Sequence, residues 1–125
     1  MNVVDSSAWL EYFAGGANAG FFAPAIEDPG ALIVPAVTLV EVFKRILQQR
    51  SEGDALRAIA VMRQGRVVDL DAPLALAAAK LGVEARLPLA DSIILATTQL
   101  FGATLWTQDD DFEDMPMAKY RAKRR

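Results

Sequence analysis

Five carboxylates are spaced along the chain where its chemistry can be done: Asp5, Glu41, Asp91, Asp109 and Asp111. The 125 residues contain no histidine and no cysteine. That excludes a Ser-His-Asp triad, an HExxH zinc site, thiolate metal centres and cysteine nucleophiles. Any catalysis must run on carboxylates, hydroxyls, Lys or Arg, or a metal held by oxygen. Hard oxygen ligands favour Mg²⁺ or Mn²⁺ over zinc or copper. Carboxylates crowded together repel one another unless a proton or a cation intervenes. A divalent ion resolves that repulsion and makes a site for phosphate chemistry, because it lowers the pKa of water and offsets phosphoryl charge.

Short β-branched runs alternate with longer helical patterns, the signature of an α/β fold with a parallel sheet. Strands are predicted over residues 2–5, 32–34, 67–69 and 104–107, with a short edge strand within 112–120. Helices are predicted over residues 7–14, 18–27, 37–50, 52–64, 72–86 and 90–101. Gly15, Gly16 and Gly102 end two of them. The helix at 37–50 takes Leu39, Val40, Phe43, Ile46 and Leu47 as its apolar stripe, and the alanine- and leucine-rich helix at 72–86 is expected to be buried. Ligands of open parallel sheets bind beyond the carboxyl ends of the strands. Asp5 follows the first strand there, and Asp109 and Asp111 follow the fourth, while Glu41 and Asp91 lie near helix starts. Helices that start at the same rim would let these acids converge.

Each acid also has a purely structural role open to it. Asp5, Ser6 or Ser7 could cap the helix that follows. Thr38 and Glu41 fit a capping box, with Lys44 or Arg45 as further partners for Glu41. Asp91 could serve its helix dipole, and residues 109–111 could form a solvated turn. The order of the acids and their strand and helix contexts carry more weight than any one of them.

Four segments in order resemble the PIN-domain ribonucleases, and more narrowly the VapC toxins of toxin–antitoxin systems. They are Val3-Val4-Asp5-Ser6-Ser7-Ala8-Trp9-Leu10, with the D-[ST]-S motif; Pro35-Ala36-Val37-Thr38-Leu39-Val40-Glu41-Val42; Leu87-Pro88-Leu89-Ala90-Asp91-Ser92-Ile93-Ile94-Leu95-Ala96; and Leu105-Trp106-Thr107-Gln108-Asp109-Asp110-Asp111-Phe112, with T-x-D-x-D-F. The resemblance covers essentially the whole chain. It implies a PIN-like three-layer α/β/α sandwich around a central, mostly parallel sheet of four to five strands. It implies that Asp5, Glu41, Asp91 and Asp109 hold one or two Mg²⁺ or Mn²⁺ ions, with Asp111 an auxiliary acid. Ser7 and Thr107 would orient carboxylates or the attacking water. The implied reaction is hydrolysis of an RNA phosphodiester by in-line attack of water, leaving a 5′-phosphate and a 3′-hydroxyl. The implied partners are a VapB-like antitoxin, laid across an apolar groove of the early helices, and a second copy in a homodimer. Trp9, Leu10, Phe13, Phe21 and Phe22 are candidates for the groove, the dimer contact or the core.

Two other readings remain open on the residues: a PIN fold that binds without turnover, and another Mg²⁺-dependent phosphate enzyme on a doubly wound sheet. A dehalogenase-like D-x-D is not met, because Ser7 stands at its second acid. The net charge is −3, but residues 119–125 carry five positive charges, so the remainder stands at −8. The organisation read from this is one domain over 1–118 and a basic tail over 119–125, a candidate phosphate contact or a solubilising end. Asp5 and Glu11 interrupt the opening apolar residues, and no basic region precedes them, so no secretory leader is expected. No stretch approaches the ~18 apolar residues of a membrane span. The expected place is the cytoplasm.

Overall fold

A computed structural model describes residues 1–124; Arg125, the last residue of the basic tail, lies outside the described residues. Five strands form one parallel sheet: β1 (Asn2–Val4), β2 (Leu32–Pro35), β3 (Arg66–Val68), β4 (Thr104–Thr107) and β5 (Ala118–Tyr120). Their order across the sheet is β3-β2-β1-β4-β5. Six helices connect them: α1 (Ser6–Ala14), α2 (Ala19–Ile26), α3 (Ala36–Gln49), α4 (Glu52–Met62), α5 (Ala72–Ala85) and α6 (Leu89–Leu100). This is the expected α/β architecture, with the sheet entirely parallel.

Alternation along the strands makes the three layers. Val4, Leu32, Val34 and Trp106 face a core built with Ala8 and Trp9 of α1, Phe22 of α2, Val42 of α3 and Met62 of α4. Val3, Ile33 and Leu105 face the other way, onto Ile94 and Leu95 of α6 and Phe112. A parallel strand buried on both faces must be apolar at successive positions, as these are. Trp106, bulky beside Thr107, packs in the first of these cores against Phe21, and its indole N–H donates to Asn2 Oδ1 at 2.9 Å.

Most boundaries differ from the sequence reading by a residue or two, and a few differences are physical. Pro35 closes β2 from inside, paired with Val68 at an edge of its register. Its φ of −60° and ψ of 133° then lead into α3 as the N-cap. The expected capping box does not form: Thr38 Oγ1 donates to the Pro35 carbonyl at 2.7 Å. Of the expected stripe, Ile46 is buried and Leu39 and Phe43 pack against the core, while Val40 and Leu47 are exposed and Thr38 and Val42 are buried in their place. The helix α5 is not a buried one. Only Leu74 and Ala78 are buried, while Leu76 and Val83 are 74% and 82% exposed. The boundary read between residues 118 and 119 falls within β5, which pairs Ala118, Lys119 and Tyr120 with β4.

Candidate metal centre

The strand order places the site. Connections leave β1 toward β2 on one side, while β4 lies on the other, so the sheet has its switch point between β1 and β4. Asp5 follows β1 and caps α1 there; Asp109 follows β4 and caps a single turn of 3-10 helix. Parallel pairing brings the two strand ends level, with Val4 opposite Trp106. From the helices, α3 supplies Glu41 and the first turn of α6 supplies Asp91. Asp5, Glu41, Asp91 and Asp109 line one open depression of about 460 Å³, together with Ser6, Ser7 and Glu11.

The Asp5 carboxylate is 2% exposed and accepts three hydrogen bonds. The Ser6 N–H donates to Oδ1 at 2.8 Å, and Ser7 Oγ and Thr107 Oγ1 each donate to Oδ2 at 2.9 Å. The Ser7 and Thr107 hydroxyls thus converge on one Asp5 oxygen. The Asp5 cap and the Asp5 site coexist: one oxygen caps, and the other is aimed by hydroxyls. Thr107 Oγ1 also accepts from the Asp109 N–H at 2.9 Å, which ties the two acids through one hydroxyl. Asp109 Oδ1 accepts from the Asp111 N–H at 2.9 Å.

Glu41 is held from outside its own helix. Ser6 Oγ donates to Glu41 Oε1 at 2.7 Å across 35 residues of sequence. By its position in the sequence Ser6 is only a possible cap of α1. The signal was there in the motif, but the bond across to α3 depends on how α1 and α3 pack.

Burial raises the Asp5 carboxyl from 3.8 to about 6, against its hydroxyl donors and with Asp109 adding repulsion. Asp91 rises to about 7. Burial is again the first cause, followed by the negative charges of Asp5, Asp109, Asp111 and Glu41. A cation bound beside Asp91 would relieve the repulsion that these four acids exert on it.

One carboxylate oxygen from each of Asp91, Asp109 and Asp111 lies within 4.8 Å of the others, a spacing that suits a divalent ion. The donor set is all oxygen, so it fits Mg²⁺ or Mn²⁺. Asp111 is exposed and lies within that same 4.8 Å span of Asp91 and Asp109. Asp5 and Glu41 join Asp91 and Asp109 in lining the pocket without entering that tight trio. Asp110 is exposed.

Beside the acidic depression runs an apolar groove of about 240 Å³ between α1, α3 and α4. Leu10, Phe13, Ile46 and Val61 line it, and Leu10, Ala14 and Gln49 belong to both hollows. Of the five early side chains singled out, Leu10 and Phe13 line the groove. Trp9 and Phe22 are core, and Phe21 is half-buried against Trp106.

Residues 3–117 match the PIN domain family. No curated protein matches the chain in sequence. Solved structures do. A toxin–antitoxin complex from Klebsiella pneumoniae matches with a TM-score of 0.78 at 25% identity, over 94% of this chain and 95% of that one. VapC20 of Mycobacterium tuberculosis, a sarcin-ricin loop cleaving toxin, gives a TM-score of 0.78 at 21% identity over 93% and 95%. VapBC2 of Rickettsia felis, bound to a DNA fragment from its promoter, gives 0.73 at 11% identity over 97% of each chain. At such identities the last two speak for the fold.

Proposed function

Since the chain belongs to the PIN domain family, we propose that it is a metal-dependent endoribonuclease and the toxin of a VapBC-type pair. The observation that carries this is the convergence of Asp5, Glu41, Asp91 and Asp109 in one depression at the β1–β4 switch point. Asp91, Asp109 and Asp111 would hold a first Mg²⁺ or Mn²⁺, with Asp5 and Glu41 as further oxygen donors for it or for a second ion. The ion supplies a more acidic water and a counter-charge for the phosphoryl oxygens.

The chain's own part is orientation. Ser6, Ser7 and Thr107 fix the directions of the Asp5 and Glu41 carboxylates before substrate arrives. Fixed dipoles and charges need no rearrangement during reaction, which is the main source of such catalysis. In the hydrolysis, water adds to phosphorus and the bond to the 3′ oxygen breaks. That oxygen takes up a proton, which leaves a 5′-phosphate and a 3′-hydroxyl.

An antitoxin segment has a place to bind. The apolar groove at Leu10 and Phe13 runs on into the acidic depression through shared residues, so a helix seated there would carry a basic side chain to the acids. The similar Klebsiella pneumoniae structure is a toxin–antitoxin complex, which supports this partner. A cytoplasmic setting is proposed with it. Among the described residues no helix is long and apolar enough to cross a membrane.

The test is cleavage of total cellular RNA by the purified chain, with the new 5′ ends mapped. Discrete cuts are expected with Mn²⁺, and none with EDTA or in Asp5→Asn. Cuts that persist in EDTA, or in the variant, would overturn the reading.

A further inference from the structure

The chain beyond β5 has a fixed place. The Arg121 N–H donates to the Thr107 carbonyl at 3.0 Å, continuing the β4–β5 ladder by one bond. Asn18 then takes hold of the next residue: its Nδ2 donates to the Ala122 carbonyl at 2.9 Å and to Gln108 Oε1 at 3.1 Å. Gln108 Nε2 passes the link on to the Ser7 carbonyl at 3.3 Å. Asn18 is wholly buried, and its own N–H donates to Glu11 Oε2 at 2.8 Å. The Asn18 amide thus joins the tail to Gln108, the residue after Thr107, and the Gln108 amide carries the link on to Ser7, two residues from Asp5. The tail's cations are held as well. The Lys119 ammonium lies 4.6 Å from the Trp106 ring centroid, and the Arg121 guanidinium 4.6 Å from that of Phe21. A tail that served only solubility would need none of these ties.

The consequence is that Lys123 lines the acidic depression, as does Arg45 from α3. They come from elements that follow β5 and β2, strands on either side of the switch point. Both are exposed, and neither is ion-paired: among the described residues the ion pair is Arg57 with Asp54. An internal counter-ion for the acids would sit against a carboxylate. These two cations instead stand free at the rim of a pocket whose surrounding body is strongly negative. Free cations beside a candidate phosphodiester site suit the backbone of an incoming polyanion.

We propose that Lys123, placed by the Asn18 latch and working with Arg45, binds RNA backbone phosphates next to the acidic site. The proposal rests on the ribonuclease reading above and adds the residue by which a negatively charged chain accepts RNA. Binding is measured with the full chain carrying Asp5→Asn, so that RNA is held and not cut. The probe is a fluorescently labelled single-stranded RNA oligonucleotide over a salt series. Adding Lys123→Ala is expected to weaken binding about tenfold and to lower the slope of log K against log salt by about 0.7. Lys123→Arg is expected to keep both. Lys123 is exposed, so the fold does not depend on it. If wild type cuts RNA and Lys123→Ala leaves affinity and slope unchanged, the assignment of Lys123 falls and the ribonuclease reading stands. A wild-type chain that does not cut RNA, with an Asp5→Asn chain that does not bind it, overturns both.

Discussion

At Asp91 the balance of charge and burial decides what the residue costs the fold. It lies in the first turn of α6, where the helix dipole favours an anion, yet burial and four acidic neighbours raise its carboxyl to about 7. Asp5, likewise raised, stands at about 6. Both values exceed the 3.8 of an unfolded aspartate, so between about pH 4 and pH 7 the folded chain binds more protons than the unfolded chain. Stability of the metal-free protein therefore falls as pH rises through that window. Asp91→Asn is expected to flatten the fall and to raise the Tm in EDTA at pH 7.5 by about 3–6 °C. Millimolar Mn²⁺ should raise the wild-type Tm at the same pH by mass action, and raise the variant's less. A variant that melts below wild type at every pH would make Asp91 a structural residue.

Elements place these residues more firmly than their local sequence suggests. Thr38 and Glu41 have the spacing of a capping box, but Pro35 sets the start of α3, and the Thr38 hydroxyl turns back to its carbonyl. Glu41 is thereby left to α1, where Ser6 takes it. Ser51 meets no such competitor, and its hydroxyl accepts from the Asp54 N–H at 3.1 Å to cap α4. The approach to β3 is similarly constrained. A Cβ on Gly65 would lie 3.0 Å from Leu32 Cγ, from the Leu32 carbonyl oxygen and from Val34 Cγ2. Neither a strand carbonyl nor a core side chain yields readily, so Gly65→Ala is expected to cost about 1–3 kcal/mol. Urea unfolding reads the change. Cleavage per folded molecule should stay intact, because the site lies across β1 and β4. An unchanged midpoint would show that the edge strand shifts to make room.

For the whole molecule, the uncovered surface points to assembly. α5 and α6 expose Leu76, Val83, Leu89 and Leu100, each more than 60% accessible. Large apolar side chains on neighbouring helices are surface that a partner can cover. We propose α5 and α6 for the contact with the second copy of a homodimer, apart from the groove at Leu10 and Phe13 proposed for the antitoxin. Sedimentation equilibrium is expected to give twice the 13.5 kDa of the chain. Leu76→Glu with Val83→Glu should return it to a monomer. A wild-type monomer at all concentrations would overturn the dimer.

The alternation of strands and helices, the all-oxygen donor set, and the acids at strand ends and helix starts were legible in the residues alone. Those properties are local: they follow from residue type, from apolar periodicity and from the missing histidine and cysteine. The strand order β3-β2-β1-β4-β5 was decided only in three dimensions, and it is what makes residues 5 and 109 neighbours. The bond from Ser6 to Glu41, the latch from Asn18 to Ala122 and the entry of Lys123 into the acidic pocket also belong to the tertiary structure. The two bonds span 35 and 104 positions of sequence, and packing makes all three. The tail shows the difference most plainly. Its charge was legible in the sequence, but its direction was not, because a buried asparagine near the other end of the chain sets it.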